Sequence, residues 1–165
     1  MAIFLAEKSR MKIFSGAVKS LNKRVAVVVS EFNHDITSAL LQGAVETLRS
    51  YLPSENIVII WVPGAVEIPL MVQRIAKQYD AVIALGAVIY GETDHYHYVC
   101  QQVNQGCQRV MLDESLPVIF GVLTVQSREL ALARVGGKKG HVGVESAEAA
   151  IKMLDLLMMI DAESV

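Results

Sequence analysis

His95 lies in the segment Gly91-Glu92-Thr93-Asp94-His95-Tyr96-His97-Tyr98, directly behind the apolar run Ala81 to Ile89. Histidine is the side chain that takes and returns a proton near neutral pH. The apolar run, rich in Val and Ile, reads as a strand covered on both faces. The residues after it read as a tight turn into a helix, with Gly91 for backbone freedom, Thr93 as N-cap and Asp94 in the first turn. His95 is thus expected at a helix N-terminus outside the carboxyl end of a parallel strand, where open α/β sheets bind ligands. The competing assignment is a solvated first-turn residue.

Other residues could act with it. Phe32 falls in the short polar loop Ser30-Glu31-Phe32-Asn33-His34, where a large ring is costly to expose. It either stacks on a flat heterocycle or folds back onto the core. Glu67 comes after the turn Trp61-Val62-Pro63-Gly64 and falls in the first turn of a helix, where the dipole stabilises a carboxylate with or without a ligand. Arg134, with Lys138 and Lys139 shortly after it, offers either ordinary charge at a helix C-terminus or a guanidinium fork for phosphate. The backbone amides around Glu92 and Thr93 would assist such an anion. His34 reads as a capping or solvated residue and His97 as structural.

Several chemistries lack support. The chain carries neither the Walker A pattern nor G-x-G-x-x-G, and no elbow motif surrounds a serine. No pair of histidines has zinc-ligand spacing with a nearby acid, so no metal is expected.

The elements that must position these residues alternate. Strand-like runs cover Arg24 to Val29, Ile57 to Val62, Ala81 to Ile89 and Pro117 to Val122. Between them, Ile36, Leu40, Ala44 and Leu48 mark a helix over about Asp35 to Leu52, and Ile68, Met71, Val72, Ile75 and Ala76 mark a second. A third starts at Thr93 with Val99, Val103, Cys107, Val110 and Met111 as its stripe. Ser127 caps a short helix that the glycine-rich Gly136 to Gly140 breaks, and a last helix carries Ala147, Ile151, Leu154, Leu157 and Met158 on one face. This is the pattern of a four-stranded parallel α/β sheet with helices on both faces. Lys12 to Phe14 is a further short strand candidate.

Composition bounds the rest. The 165 residues fit one domain, 1–165, with 1–10 as an extended or poorly ordered N-terminal segment. Hydrophobic residues make up 53% and charged ones 19%, an excess that buried strands and subunit interfaces would absorb, so a homo-oligomer is expected. No apolar run approaches the roughly 20 residues of a membrane span. The net charge of −2, without basic clusters interleaved with aromatics, argues against nucleic acid or a membrane surface as partner. The opening apolar stretch is too short for a signal-peptide core. Cys100 and Cys107 lie on one helix, too far apart to bridge, which fits a reducing cytoplasm.

Taken in order, Phe32-Asn33, Val62-Pro63-Gly64-Ala65 with Glu67-Ile68-Pro69, Asp80-Ala81-Val82, Gly86-Ala87-Val88-Ile89 with Gly91, Thr93 and His95, Pro117 to Thr124, and Ala133-Arg134 resemble the lumazine synthase family. The resemblance spans about Met11 to Ile160. It implies a flavodoxin-like three-layer fold whose N-terminal strand joins a neighbouring subunit. It implies condensation of 5-amino-6-(ribitylamino)uracil with 3,4-dihydroxy-2-butanone 4-phosphate to 6,7-dimethyl-8-ribityllumazine, releasing phosphate and water without a cofactor. It also implies a pentamer, which in some members builds a sixty-subunit capsid.

By the same resemblance, Phe32 stacks on the pyrimidinedione, Ala65, Val66 and Glu67 hold the ribityl chain and ring, and Ala87, Val88 and Ile89 line the other side. Glu92 and Thr93 cradle the phosphate with Arg134, His95 transfers protons, and Phe120 reaches the substrate from a neighbouring subunit. Some positions depart from the pattern. Val66 replaces an aromatic, Tyr90 an arginine, and His97 an acid. Gly140-His141-Val142-Gly143 replaces Gly-Asn-Lys-Gly, with Lys138 or Lys139 as candidate substitutes for the lost lysine. That loss leaves a second expectation open: a weakly active or non-catalytic lumazine- or flavin-binding, shell-forming relative.

Overall fold

The computed structural model describes residues 11–163. Four strands, β1 (Val25–Ser30), β2 (Ile57–Val62), β3 (Ala81–Ile89) and β4 (Val118–Val125), form a parallel sheet in the order β2-β1-β3-β4. The helices are α1 (His34–Arg49), α2 (Ile68–Ile75), α3 (His95–Asp113), α4 (Arg128–Leu132) and α5 (Val142–Glu163). Between α4 and α5, β5 (Val135–Gly137) and β6 (Gly140–His141) pair as an antiparallel hairpin. This is the flavodoxin-like arrangement expected.

The strand composition explains the sheet. Every residue of β1 is buried, and β3 is buried from Ala81 through Ala87, as a strand covered on both faces requires. On one face, Val25, Val27, Val29, Ile83 and Leu85 pack against Ile36, Leu40 and Leu48 of α1 and Ala147, Ile151 and Leu154 of α5. On the other, Ala26, Val28, Val82 and Ala84 meet Ile68 and Val72 of α2 and Val103, Cys107 and Val110 of α3. Burial pushes the Cys107 thiol up to about 12. The chain's own helices leave both sheet edges partly uncovered: Ile59 and Trp61 of β2 and Phe120 of β4 are exposed.

Some details differ from expectation. The third helix begins at His95, with Asp94 as its N-cap residue, rather than at Thr93. Thr93 still contributes, because its Oγ1 accepts the His95 backbone N–H at 3.4 Å. The glycine-rich stretch forms a hairpin instead of a plain break, since Gly136 and Gly140 adopt φ of 97° and 87°, open to glycine at low steric cost. On α5 the buried stripe ends with Leu154 and Asp155, and Met158 is exposed.

Lys12 to Phe14 form no strand among the described residues. A strand needs a paired neighbour, and this segment lies along helices. The Ala17 N–H donates to Asp155 Oδ2 at 2.9 Å, Leu21 N–H to the Tyr51 carbonyl at 2.9 Å, and Val18 and Leu21 pack onto the core. Lys12 pairs with Glu163 and Lys19 with Asp155. Residues 1–10, expected as a poorly ordered or extended segment, lie outside the described residues.

Candidate active site

The chain moves from β1 outward to β2 and then back across to β3. At such a reversal the loops leaving neighbouring strands diverge and open a crevice. Here the crevice is a cavity of about 530 Å³, lined by Phe32 after β1, Gly64 to Glu67 after β2, and Ala87 to Ile89 at the end of β3. Gly91, Thr93 and His95 close it where β3 passes into α3.

Local bonding holds each loop. The Glu31 N–H donates to the Val62 carbonyl at 2.8 Å, prolonging the β1–β2 ladder, and the Phe32 N–H donates to Ser30 Oγ at 3.2 Å. Asn33 occupies the left-handed region at φ 57°, ψ 48°, and its Nδ2 donates to the Ala87 carbonyl at 2.9 Å. Asparagine tolerates that conformation better than most residues. This clamp ties the Phe32 loop to the end of β3 and leaves the Phe32 ring 69% exposed. It does not fold back onto the core.

Glu67 ends a 3₁₀ turn over Ala65–Glu67 and serves as the N-cap residue of α2. Its carboxylate lies over Gly64, where a Cβ would stand 2.9 Å from Oε2. Gly91 has no need of a left-handed backbone: the positive-φ glycines are Gly136 and Gly140. A Cβ at Gly91 would meet no atom within 4 Å, and the bare backbone keeps that side of the cavity clear.

His95 is exposed at the cavity wall. Neither the Glu92 nor the Thr93 backbone N–H is bonded within the described residues. They lie just ahead of the α3 N-terminus, where the helix dipole favours an anion. Tyr98, Val99 and Gln102 also line the cavity. They come after His95 at helical spacing, so extending its face along α3 would have found them in the sequence. Tyr96 is half-buried beside Cys100. Burial first, then the thiol, raise its hydroxyl above the ordinary tyrosine range, while Thr124 acts the other way. His97 packs edge-on against Tyr90 and Tyr96, with centroids 6.0 and 5.3 Å apart. His34 is tilted against Trp61 at 5.0 Å.

The remaining candidates are elsewhere. Phe120 and Arg134 do not line the His95 cavity. They share a second one of about 430 Å³ along the outer edge of β4, with Thr124, Val142, Glu145 and Ser146. Phe120 lies on the edge strand β4, where it also lines a cavity with Cys107 and Met111 of α3; for Arg134 the cause is the layering of the fold. Ala131 of α4, Val135 of β5 and Val142 pack into the core on the α1/α5 face, whereas Ala65, Val88 and Val99 around His95 belong to the α2/α3 face. Arg134 donates from Nη1 to the Lys139 carbonyl at 3.1 Å. Lys138 and Lys139 are exposed in the hairpin turn and line neither cavity, and Glu92 is likewise absent from both linings. Among the described residues no group of three or more His, Cys, Asp or Glu could hold a metal ion, and no helix is long and apolar enough to cross a membrane.

The sequence profile of the 6,7-dimethyl-8-ribityllumazine synthase family matches residues 22–158. Proteins named 6,7-dimethyl-8-ribityllumazine synthase from three strains of Coxiella burnetii are each 50% identical over 141 residues, covering 84% of this chain and 93% of each relative. The profile and the relatives each cover most of the chain. This chain belongs to the 6,7-dimethyl-8-ribityllumazine synthase family.

Proposed function

We propose that the protein condenses 5-amino-6-(ribitylamino)uracil with 3,4-dihydroxy-2-butanone 4-phosphate to 6,7-dimethyl-8-ribityllumazine, releasing phosphate and water, in a site shared by two subunits. The observation that carries the shared site is the separation of the candidates. His95, Phe32 and Glu67 line one cavity, while Arg134 and Phe120 line another on the uncovered edge of β4. A neighbouring copy presenting its β4 edge to the His95 cavity brings the two sets together, as the family resemblance implies for Phe120. Exposed Ile59, Trp61 and Phe120 on the two outer strands supply apolar surface for such contacts. A homopentamer, alone or within a larger shell, is the assembly proposed, and two free cysteines fit a reducing cytoplasm.

In this site the pyrimidine ring lies against Phe32, between Ala65, Val66 and Glu67 on one side and Ala87, Val88 and Ile89 on the other. The unbonded Glu92 and Thr93 amides and the neighbour's Arg134 receive the phosphate. Holding both substrates together supplies the proximity that a condensation needs. The primary amine attacks the ketone carbonyl, and His95 relays protons as the carbinolamine loses water to give the imine. Departure of phosphate comes next, with Arg134 stabilising the charge that grows on the leaving group. Ring closure then expels the second water. Each step needs a proton delivered or removed, which a positioned histidine does at a gain of about 10²- to 10⁴-fold.

Incubation of the purified protein with both substrates, with lumazine fluorescence as the readout, tests this. Product formation well above the uncatalysed background is expected, slowed at least about tenfold by His95→Ala. Ligand binding without product would instead mark a binding relative, the outcome that Val142 at the usual lysine position would explain.

A further inference from the structure

Beside the half-buried Val135 and Val142, which pack onto the core, the hairpin next to Arg134 is seated on the body of the protein by His141. Its imidazole fills a slot between two helices. A Cβ at Gly43, in the middle of α1, would stand 2.3 Å from Cε1 and 2.8 Å from Nδ1 of the ring. A Cβ at Gly143, in the first turn of α5, would stand 3.1 Å from Cε1 and 2.0 Å from the Leu40 carbonyl oxygen. The slot exists because both residues are glycines. The ring's third neighbour is the hairpin's own Gly136, whose Cβ would lie 3.5 Å from Cδ2.

Shape holds this ring. His141 Nδ1 is buried and has no hydrogen-bond partner. A buried polar atom left unpaired opposes folding, so the imidazole stays in the slot through its packing.

Arg134 is coupled to this anchor at three points. Its carbonyl accepts the Val142 N–H at 2.8 Å, its Nη1 donates to the Lys139 carbonyl at 3.1 Å, and Val135 pairs with His141 across the hairpin. The residues that bond Arg134 therefore flank His141 on both sides. The other tether of the same region, the Arg128–Asp35 pair, joins two half-exposed side chains, and such pairs add little rigidity. An exposed guanidinium without a fixed backbone samples many rotamers.

We propose that His141, seated in the Gly43–Gly143 slot, is the positioning residue that sets where Arg134 meets the phosphate of the substrate. This rests on the assignment of Arg134 as the phosphate-binding arginine. Gly43 belongs to it as the other half of the latch, although it lies on α1 and touches neither cavity lining.

The test compares Gly43→Ala, His141→Ala, the double variant and Arg134→Ala in the full-length assembled protein. The readouts are KM for each substrate, Ki for orthophosphate as inhibitor, and Tm. Gly43→Ala and His141→Ala should each raise the KM of the phosphate-bearing substrate and the orthophosphate Ki about tenfold, with the pyrimidine KM within about twofold. In the double variant the two changes should be non-additive, because both act on one contact. If Gly43→Ala does not fold, His141→Ala and His141→Asn carry the comparison, since neither clashes with α1. A fall in Tm with Ki unchanged, or an equal rise in both KM values, overturns the latch. Should Arg134→Ala raise Ki while the slot variants do not, the latch fails and the arginine's assignment stands. Should Arg134→Ala leave Ki unchanged, that assignment fails and the latch with it.

Discussion

The cavity beside His95 is walled by loops from three strands, whereas the cavity beside Arg134 is bounded by the edge of β4, the first turns of α5 and Arg134 itself. The first has an exposed ring, a carboxylate and a histidine around about 530 Å³. Its loops are tied to one another by backbone and Asn33 hydrogen bonds. The second carries a cation and an aromatic on an edge that the strands among the described residues leave unpaired. Under the proposed function, the contrast separates two tasks of one reaction. A flat heterocycle needs walls, which the sheet's switch point supplies within one subunit. A phosphate needs donors that converge from outside, and the proposal divides them between the α3 N-terminus and Arg134 on the opposite helical layer.

The largest effect expected from breaking this comparison is at Arg134. Arg134→Ala should lower kcat/KM for the phosphate-bearing substrate about 100-fold or more, the scale of losing a preorganised charged donor. The pyrimidine KM should barely move. Equal losses for both substrates would mean that the two cavities do not divide the work. Phe32→Ala should act in the opposite sense, raising the pyrimidine KM about tenfold, near 1.4 kcal/mol of stacking, with phosphate binding intact. Isothermal titration with each ligand alone separates the two variants.

The smallest effect concerns the layer behind Arg134. The Lys19 ammonium first, and the Ala17 N–H second, hold the Asp155 carboxyl below its ordinary range. Its folded-state pKa is lowered, so its contribution to stability is complete above about pH 4, the unfolded-state value. That contribution is lost as the pH falls through the lowered value. Asp155→Asn should therefore lower Tm at pH 7 and flatten the acid limb of the Tm–pH curve. A parallel shift at every pH would contradict the pairing.

Much of the first cavity was legible in the sequence. Buried parallel strands write themselves as continuous apolar runs, so β2 and β3 appear with their observed limits and β1 is displaced by a single residue. The residues just past those limits, Phe32, Ala65 to Glu67, Thr93 and His95, then fall on one crevice because a parallel sheet sends its strand exits to one edge. Less was legible where polarity carries no direction. Tyr98 and Gln102 are reached only by extending the His95 face along α3, because on a face open to solvent their types alone do not separate a cavity wall from a surface. The layer to which Arg134 belongs depends on how Ala131, Val135 and Val142 pack, which a five-residue helix and a glycine-rich hairpin do not announce. The His141 slot was equally hidden, because Gly43 and His141 are far apart in the chain and neither residue type suggests the other.

The central claim is that His95 of one subunit works with Arg134 of the next, and subunit complementation tests it most directly. His95→Ala and Arg134→Ala proteins, each expected to be at least about tenfold slower than the parent alone, are unfolded together at equal concentration, reassembled, and assayed for lumazine formation. In a mixed ring, about one interface in four unites an intact His95 from one subunit with an intact Arg134 from its neighbour. Recovery to about a quarter of the parent activity is the predicted result. Mixed assemblies no more active than the separate variants would contradict the shared site and return both residues to a single chain.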